Sequence, residues 1–130
     1  IYLEQKIYKL NLKEKKLKKN HIFCTLLLSG NKEIKLLNKK FRKKNRATDV
    51  LSFPFQNSKV LKKKLKIEKE IYLGDIIINL NKVKKNNFRE EFDRLWIHGL
   101  VHLFGYVHKK EKDYKKMSLI EKKYFELVND

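Results

Sequence analysis

Residues 88–108, Phe88-Arg-Glu-Glu-Phe-Asp-Arg-Leu-Trp-Ile-His-Gly-Leu-Val-His-Leu-Phe-Gly-Tyr-Val-His108, change character halfway along. At about 100° per residue, Phe88, Phe92, Trp96, Gly99 and Leu103 fall on one stripe, which predicts a helix from about Asn87 to Phe104. Arg89, Glu90, Glu91, Asp93 and Arg94 load its first half with charge, whereas Leu95 to Phe104 carry none apart from any protonated histidine. Ile97, Leu100, Val101 and Phe104 add apolar groups around that second half. Such a helix starts in water and ends inside a core. Gly105 follows, the residue type that ends helices in the left-handed conformation.

Two histidines sit in the buried half. His98 and His102 are four apart, so on a helix they project from one face about one turn apart. That spacing lets both imidazoles reach one metal at about 2.0–2.1 Å. In the continuation H-x-x-G-x-x-H, Gly105 lets the chain turn and bring His108 back as a third ligand. Three histidines leave a tetrahedral zinc one open position for water, the layout of a catalytic site, with one zinc per chain. A lone histidine on an apolar face is more often a hydrogen-bonded core residue. Here three of the four histidines fall within eleven residues, which favours ligation. His21 stands alone and reads as a strand-start residue; Cys24 reads as a small core residue, with thiolate ligation as its other reading. The H-x3-H-x5-H spacing is metzincin-like, but Gly99 occupies the position of the glutamate that serves zinc peptidases as general base. This points away from peptide hydrolysis.

Around this helix, the chain reads as one domain over residues 1–130. Residues 1–20 form a lysine-loaded amphipathic helix through Leu3, Ile7 and Leu10, packed loosely given its charge. His21–Leu28 is a strand closed by Ser29-Gly30-Asn31, and Asn31 caps a helix to about Phe41 with Ile34, Leu37, Asn38 and Phe41 on one face. Val50–Phe55 is a strand that Pro54 assigns to an edge, and Ser58–Glu70 is an exposed loop or a short hairpin arm. Ile71–Asn79 is a third strong strand, interrupted by Gly74-Asp75. The expected fold class is α/β in the broad sense (α+β): a small mixed sheet of about four strands packed with helices, the histidine helix central.

The net charge of +18 permits a nucleic-acid partner. Lysine outnumbers arginine by 29 to 4, Ala47 is the only alanine, and Asn, Ile, Leu, Phe and Tyr abound, the set that AT-rich codons encode. The lysine excess therefore has two readings, codon bias on a solvated surface or RNA attraction. No apolar run approaches the roughly 20 residues that span a bilayer, so no membrane partner is expected. No secretory signal is visible and one cysteine forms no internal disulfide, so the cytoplasm is the expected compartment.

Three ordered blocks then converge. His98-Gly-Leu-Val-His-Leu-Phe-Gly-Tyr-Val-His108 resembles the H-G-x-x-H-L-x-G-Y-D-H signature of the YbeY family of bacterial endoribonucleases. Leu37-Asn38 through Phe41-Arg42 to Thr48-Asp-Val-Leu-Ser-Phe-Pro-Phe55 is similar to its L-N-x-x-[FY]-R…P-T-D-V-L-S-F-P-F block, and Leu73-Gly-Asp-Ile-Ile-Ile78 to its L-G-D-I-x-I strand. The resemblance runs from about residue 22 to the C-terminus. It implies a zinc-dependent endoribonuclease favouring single strands, acting in rRNA maturation, including the 3′ end of small-subunit rRNA, and in ribosome quality control. Its partners would be single-stranded RNA, rRNA and the small ribosomal subunit, with ribosome-assembly proteins as further candidates and no DNA. The zinc ligands carry over to His98, His102 and His108, and the functional arginine to Arg42. Val107 stands where the family has Asp, removing a carboxylate beside the third ligand, and Ala47 where it has Pro.

Independent chemistry fits Arg42, because a planar guanidinium grips two phosphate oxygens where lysine offers a point charge. Thr48, Asp49 and Ser52 read as turn and strand-end residues stabilising the loop that presents it. Asp75 is either a hydrogen-bonded strand residue or a partner of the ligands, the former favoured. Two other readings stay in view: a metzincin-like peptidase, and a ribosome-associated RNA-binding protein whose zinc is structural.

Overall fold

The computed structural model describes residues 2–17, 19–107 and 109–129. In chain order the elements are α1 (Tyr2–Lys13), a 3-10 turn (Lys15–Leu17), β1 (His21–Ser29), α2 (Asn31–Arg42), β2 (Val50–Pro54), α3 (Ser58–Ile67), β3 (Glu70–Asn79), a second 3-10 turn (Leu80–Lys82), α4 (Phe88–Leu103) and α5 (Glu111–Asn129). The sheet has the order β1-β3-β2. β3 runs parallel to β1 from His21↔Glu70 to Ser29↔Asn79 and antiparallel to β2 from Val50↔Ile78 to Pro54↔Gly74.

Three strands form among the described residues, where about four were expected. The difference is the segment read as a loop or hairpin arm, which is α3. Asn57 caps it by accepting from the Val60 N–H at 2.9 Å. Leu61 and Leu65, one turn apart, turn its apolar face to the core, and the lysines between them favour helix. Asn31 also differs from expectation. It is the first helical residue after an extended Gly30, and its side chain accepts from Asn79 Nδ2 at 2.7 Å.

The central strand explains itself. Ile76 and Ile78 face one side with Leu73 and Ile71, while Ile77 faces the other against Ile34 and Leu51, so Ile76-Ile77-Ile78 needs no polar alternation. β1, at an edge, alternates buried Ile22 with exposed Phe23. Gly74, with φ of +135°, is the extra residue of a bulge: the register passes from Phe23↔Tyr72 to Thr25↔Asp75. A Cβ there would lie 2.3 Å from the Phe53 carbonyl oxygen. The bulge places Tyr72 and Asp75, three apart, on the same face, where the Tyr72 hydroxyl donates to the Asp75 carboxylate.

α4 lies across β2 and β3, with α5 behind it and α1 against both α5 and β1. Its stripe behaves as read, with Phe92, Trp96, Gly99 and Leu103 buried, although Phe88 at the wet start is exposed. α1 is held more firmly than its lysines suggest. Leu10 is fully buried, and the buried Asp93 of α4 accepts from the Tyr2 hydroxyl at 2.9 Å and the Trp96 indole at 2.9 Å, with Lys6 Nζ 3.8 Å away. Burial and the Asp93 carboxylate push the Tyr2 hydroxyl pKa up to about 12.

The tightest approach of α4 to the sheet is at Gly99. A Cβ on Gly99 would sit 2.7 Å from Ile76 Cγ2 and 3.1 Å from Ser52 Oγ. Gly99→Ala is therefore expected to lower stability by about 1–3 kcal/mol, despite alanine's better helix propensity. Thermal melting of the two proteins checks this, and an unchanged or raised Tm would show that the helix has room to shift.

Candidate functional site

Gly105, with φ of +101°, ends α4 as its sequence predicts, and its N–H donates to the His102 carbonyl at 2.9 Å. The chain doubles back, so the Tyr106 carbonyl reaches His102 Nδ1 at 2.8 Å. A carbonyl only accepts, so Nδ1 of His102 carries the hydrogen and its Nε2 presents a lone pair. His98 Nδ1 lies 2.5 Å from the Glu121 carboxylate of α5. An ionised Glu121 accepts a hydrogen from that nitrogen. The two Nε2 atoms then face one another at 3.2 Å, with the rings nearly perpendicular.

That spacing is one that a single shared metal ion would fit. Nitrogens at about 2.0–2.1 Å from one tetrahedral ion lie about 3.3–3.4 Å apart, close to the observed spacing. Among the described residues no cluster of three or more His, Cys, Asp or Glu side chains forms a metal-ligating group. His108 lies outside the described residues, one position after Val107, which lines the same cleft.

The pair opens into a cleft of about 530 Å³ whose walls include Arg42, Arg46, Ser52, His98 and His102. Arg42 occupies the last turn of α2, which ends immediately afterwards because Lys43 adopts the left-handed conformation, φ 58°. Arg42 Nη2 donates to the Ser52 carbonyl at 2.5 Å, and its guanidinium lies 5.7 Å from the Phe53 ring centre. Ser52 Oγ donates to the Gly99 carbonyl at 3.1 Å. One buried residue thus ties the arginine to the histidine helix. The loop between α2 and β2 is pinned from below by two buried asparagines: Asn38 Nδ2 donates to the Arg46 carbonyl at 2.9 Å, and Asn79 Nδ2 to that of Thr48 at 3.0 Å.

The sequence reading therefore brings Arg42, His98 and His102 to one cleft, with Thr48, Asp49 and Ser52 supporting it. Asp75 belongs elsewhere, engaged by Tyr72. Cys24 packs against the core on β1 near α1, away from the cleft, and its thiol is pushed up to about 11 by burial and by Asp75. One contributor escaped the sequence reading. Glu121 lies on a helix 23 residues beyond His98 and carries no local motif.

Fold and site together define a class: α+β proteins whose core-facing helix offers paired imidazoles to a cleft shared with an arginine. The family model described as Endoribonuclease YbeY matches residues 2–129, and the chain belongs to that family. A Pelagibacter ubique endoribonuclease YbeY is 49% identical over 102 residues, covering 74% of this chain and 63% of the relative. One from Oceanobacillus iheyensis is 39% identical over 94 residues, covering 67% and 61%. A solution structure from Thermotoga maritima aligns with a TM-score of 0.61 at 32% identity, covering 97% of this chain and 78% of that one. The chain spans between 61% and 64% of the length of the first curated relatives it matches. Among the described residues no helix is long and apolar enough to cross a membrane.

The asparagine pin can be tested directly. Asn38→Leu is expected to cost about 1–3 kcal/mol, because the Arg46 carbonyl loses its donor. It should also speed amide exchange across residues 43–49. Thermal melts with hydrogen exchange read both, and unaltered exchange there would assign the loop's order to other contacts.

Proposed function

We propose that this chain is a zinc-dependent endoribonuclease that favours single strands and works in the cytoplasm. Its substrates would be rRNA precursors, including the 3′ end of small-subunit rRNA, with a part in ribosome quality control. Its partners would be the small ribosomal subunit and ribosome-assembly proteins. The observation that carries the reading is the His98–His102 pair, whose Nε2 atoms stand 3.2 Å apart on the cleft that holds Arg42. Support for the reaction class comes from the family and from the name its relatives carry, endoribonuclease.

The donor set fits zinc: two imidazoles whose outer nitrogens are held by Glu121 and the Tyr106 carbonyl, a spacing close to a tetrahedral bite, and His108 as third ligand by its place in the motif. Zinc held there would supply Lewis acidity toward a phosphate oxygen and make water a nucleophile near neutral pH. The chain's own residues do the rest. Glu121 and the Tyr106 carbonyl keep the Nε2 lone pairs aimed inward. Arg42, steadied by the Ser52 carbonyl through one N–H, keeps the remainder of its fork for a phosphate and stabilises charge developing there. Position 99 faces Ile76 and Ser52, so no carboxylate fits where a metzincin-like peptidase keeps its base.

Metal analysis is expected to find about one zinc per chain, lost in His102→Ala. Glu121→Gln should keep the fold and weaken zinc about 10- to 100-fold, read by competition with a chromogenic chelator. Full zinc in His102→Ala would sink the centre.

Arg42→Ala should retain zinc and the fold yet lower the RNA cleavage rate about 10²–10³-fold, with Arg42→Lys recovering only part of the loss. Fully active Arg42→Lys would mean that charge alone suffices. A zinc-loaded wild type that cleaves no single-stranded RNA would leave the metal structural.

A further inference from the structure

α2 covers only half of its face of the sheet, with Ile34 and Leu37 over Leu51 and Ile77. The other half is an open aromatic surface. Phe23, Tyr72 and Phe55 form a row across β1, β3 and the end of β2, with neighbouring ring centres 5.4 Å apart in both steps. Phe53 and Phe41 form a second group, with centres 5.5 Å apart. Phe23 is 42%, Phe55 65% and Phe41 56% exposed. The Gly74 bulge fixes the middle of the row, because the Tyr72 hydroxyl bonds both Asp75 and Thr25 Oγ1.

Cations stand at these rings: Lys64 Nζ lies 5.4 Å from the Phe55 centre, Lys40 Nζ 5.2 Å from Phe41, and the Arg42 guanidinium 5.7 Å from Phe53. Arg42 belongs both to this surface and to the cleft. We propose that the open half of the sheet is a stacking platform for unpaired bases of a single-stranded RNA whose backbone continues into the Arg42 cleft.

The chemistry selects this occupant. Exposed rings edged by cations match a polymer of flat bases on an anionic backbone. A second copy of this chain would bring +18 against +18. The Asp75 carboxylate on this face is engaged by Tyr72, and Glu70, two residues before Tyr72, marks the end where phosphate would be repelled. The path therefore runs from Arg42 past Phe53 and Phe55 toward Phe23. This deepens the reading of the cleft as an RNA site and rests on it for the identity of the polymer.

The test measures binding, so it stands apart from cleavage. Fluorescence anisotropy follows a labelled 2′-O-methyl RNA of about 12 nucleotides and a base-free phosphodiester chain of equal length. Phe55→Ala and Phe23→Ala should each weaken the base-bearing strand about 5- to 100-fold at every salt concentration and leave the base-free chain unchanged. Lys64→Ala should weaken both ligands and reduce the salt slope by about 0.7. Unchanged affinity in both phenylalanine variants, or a wild type that binds both ligands equally, would overturn the platform. So would a dimer, seen by light scattering, that Phe55→Ala dissociates. Stacking losses in a protein that cleaves no RNA would fail the nuclease reading alone; cleavage with unaltered binding in the variants would fail the platform alone.

Discussion

The contact on which the site depends is the one between Gly99 and the sheet. Helix α4 can settle onto β2 and β3 because position 99 has no side chain, and Ile76 and Ser52 occupy the space a Cβ would take. Ser52 converts that proximity into alignment. Its hydroxyl bonds the Gly99 carbonyl, one residue from His98, while its own carbonyl receives Arg42. β2 is an edge strand, and a carbonyl pointing off an edge has no ladder partner. Here the guanidinium fills that role. The distance between the arginine and the imidazoles is set by one strand residue and the closeness of one helix.

The acidic residues show how a chain with 33 basic and 15 acidic side chains builds an interior. Asp93 is buried with the Tyr2 hydroxyl and the Trp96 indole as donors; Glu14 is buried with Lys123 Nζ at 2.9 Å; Glu121 meets His98. Each joins α1 or α5 to a neighbouring element. Buried carboxylates cost desolvation energy unless donors surround them, and the first two are so surrounded. Burial and Glu14 also raise the Tyr124 hydroxyl pKa, keeping that core phenol neutral. Glu121 differs, since it is half-buried and its partner is an imidazole whose other nitrogen faces the cleft. It is a carboxylate that the family signature would lead one to seek beside the third histidine, where this chain has Val107.

What the sequence made legible was periodic or punctuated. The stripe through Trp96 and Gly99, the stop at Gly105, the edge position announced by Pro54 and the interruption at Gly74 all report a local backbone requirement, and the fold meets each. Two errors came where a local rule was misapplied. Asn31 has the residue type of a cap but bonds Asn79, a partner 48 residues away. Residues 58–67 are lysine-rich enough to look solvated, yet Leu61 and Leu65, one turn apart, seat a helix whose outer face carries the lysines. Glu121 was invisible for a different reason: its role arises only when α5 packs on α4, and nothing in its own neighbourhood encodes that. The resemblance to the family supplied Arg42, whose environment no period or spacing reveals.

The excess of lysine then separates from the chemistry of the site. A lysine-rich surface attracts any polyanion within about a Debye length of roughly 8–10 Å, and it does so wherever the lysines sit, so composition drift and RNA attraction are physically indistinguishable on an open surface. Arginine is scarce here, with four in the chain, and its placement is not diffuse. Arg42 and Arg46 line the cleft, while Arg89 and Arg94 lie over the Tyr2 and Phe125 rings. These are positions where a planar cation has work that an ammonium does less well, either gripping two oxygens or stacking on a ring. On the proposed reading, lysine would supply encounter, whatever its origin in the codons, and the two cleft arginines would supply geometry. A polymer drawn to this surface would be oriented beside Ser52 and at the exposed rings and held loosely elsewhere.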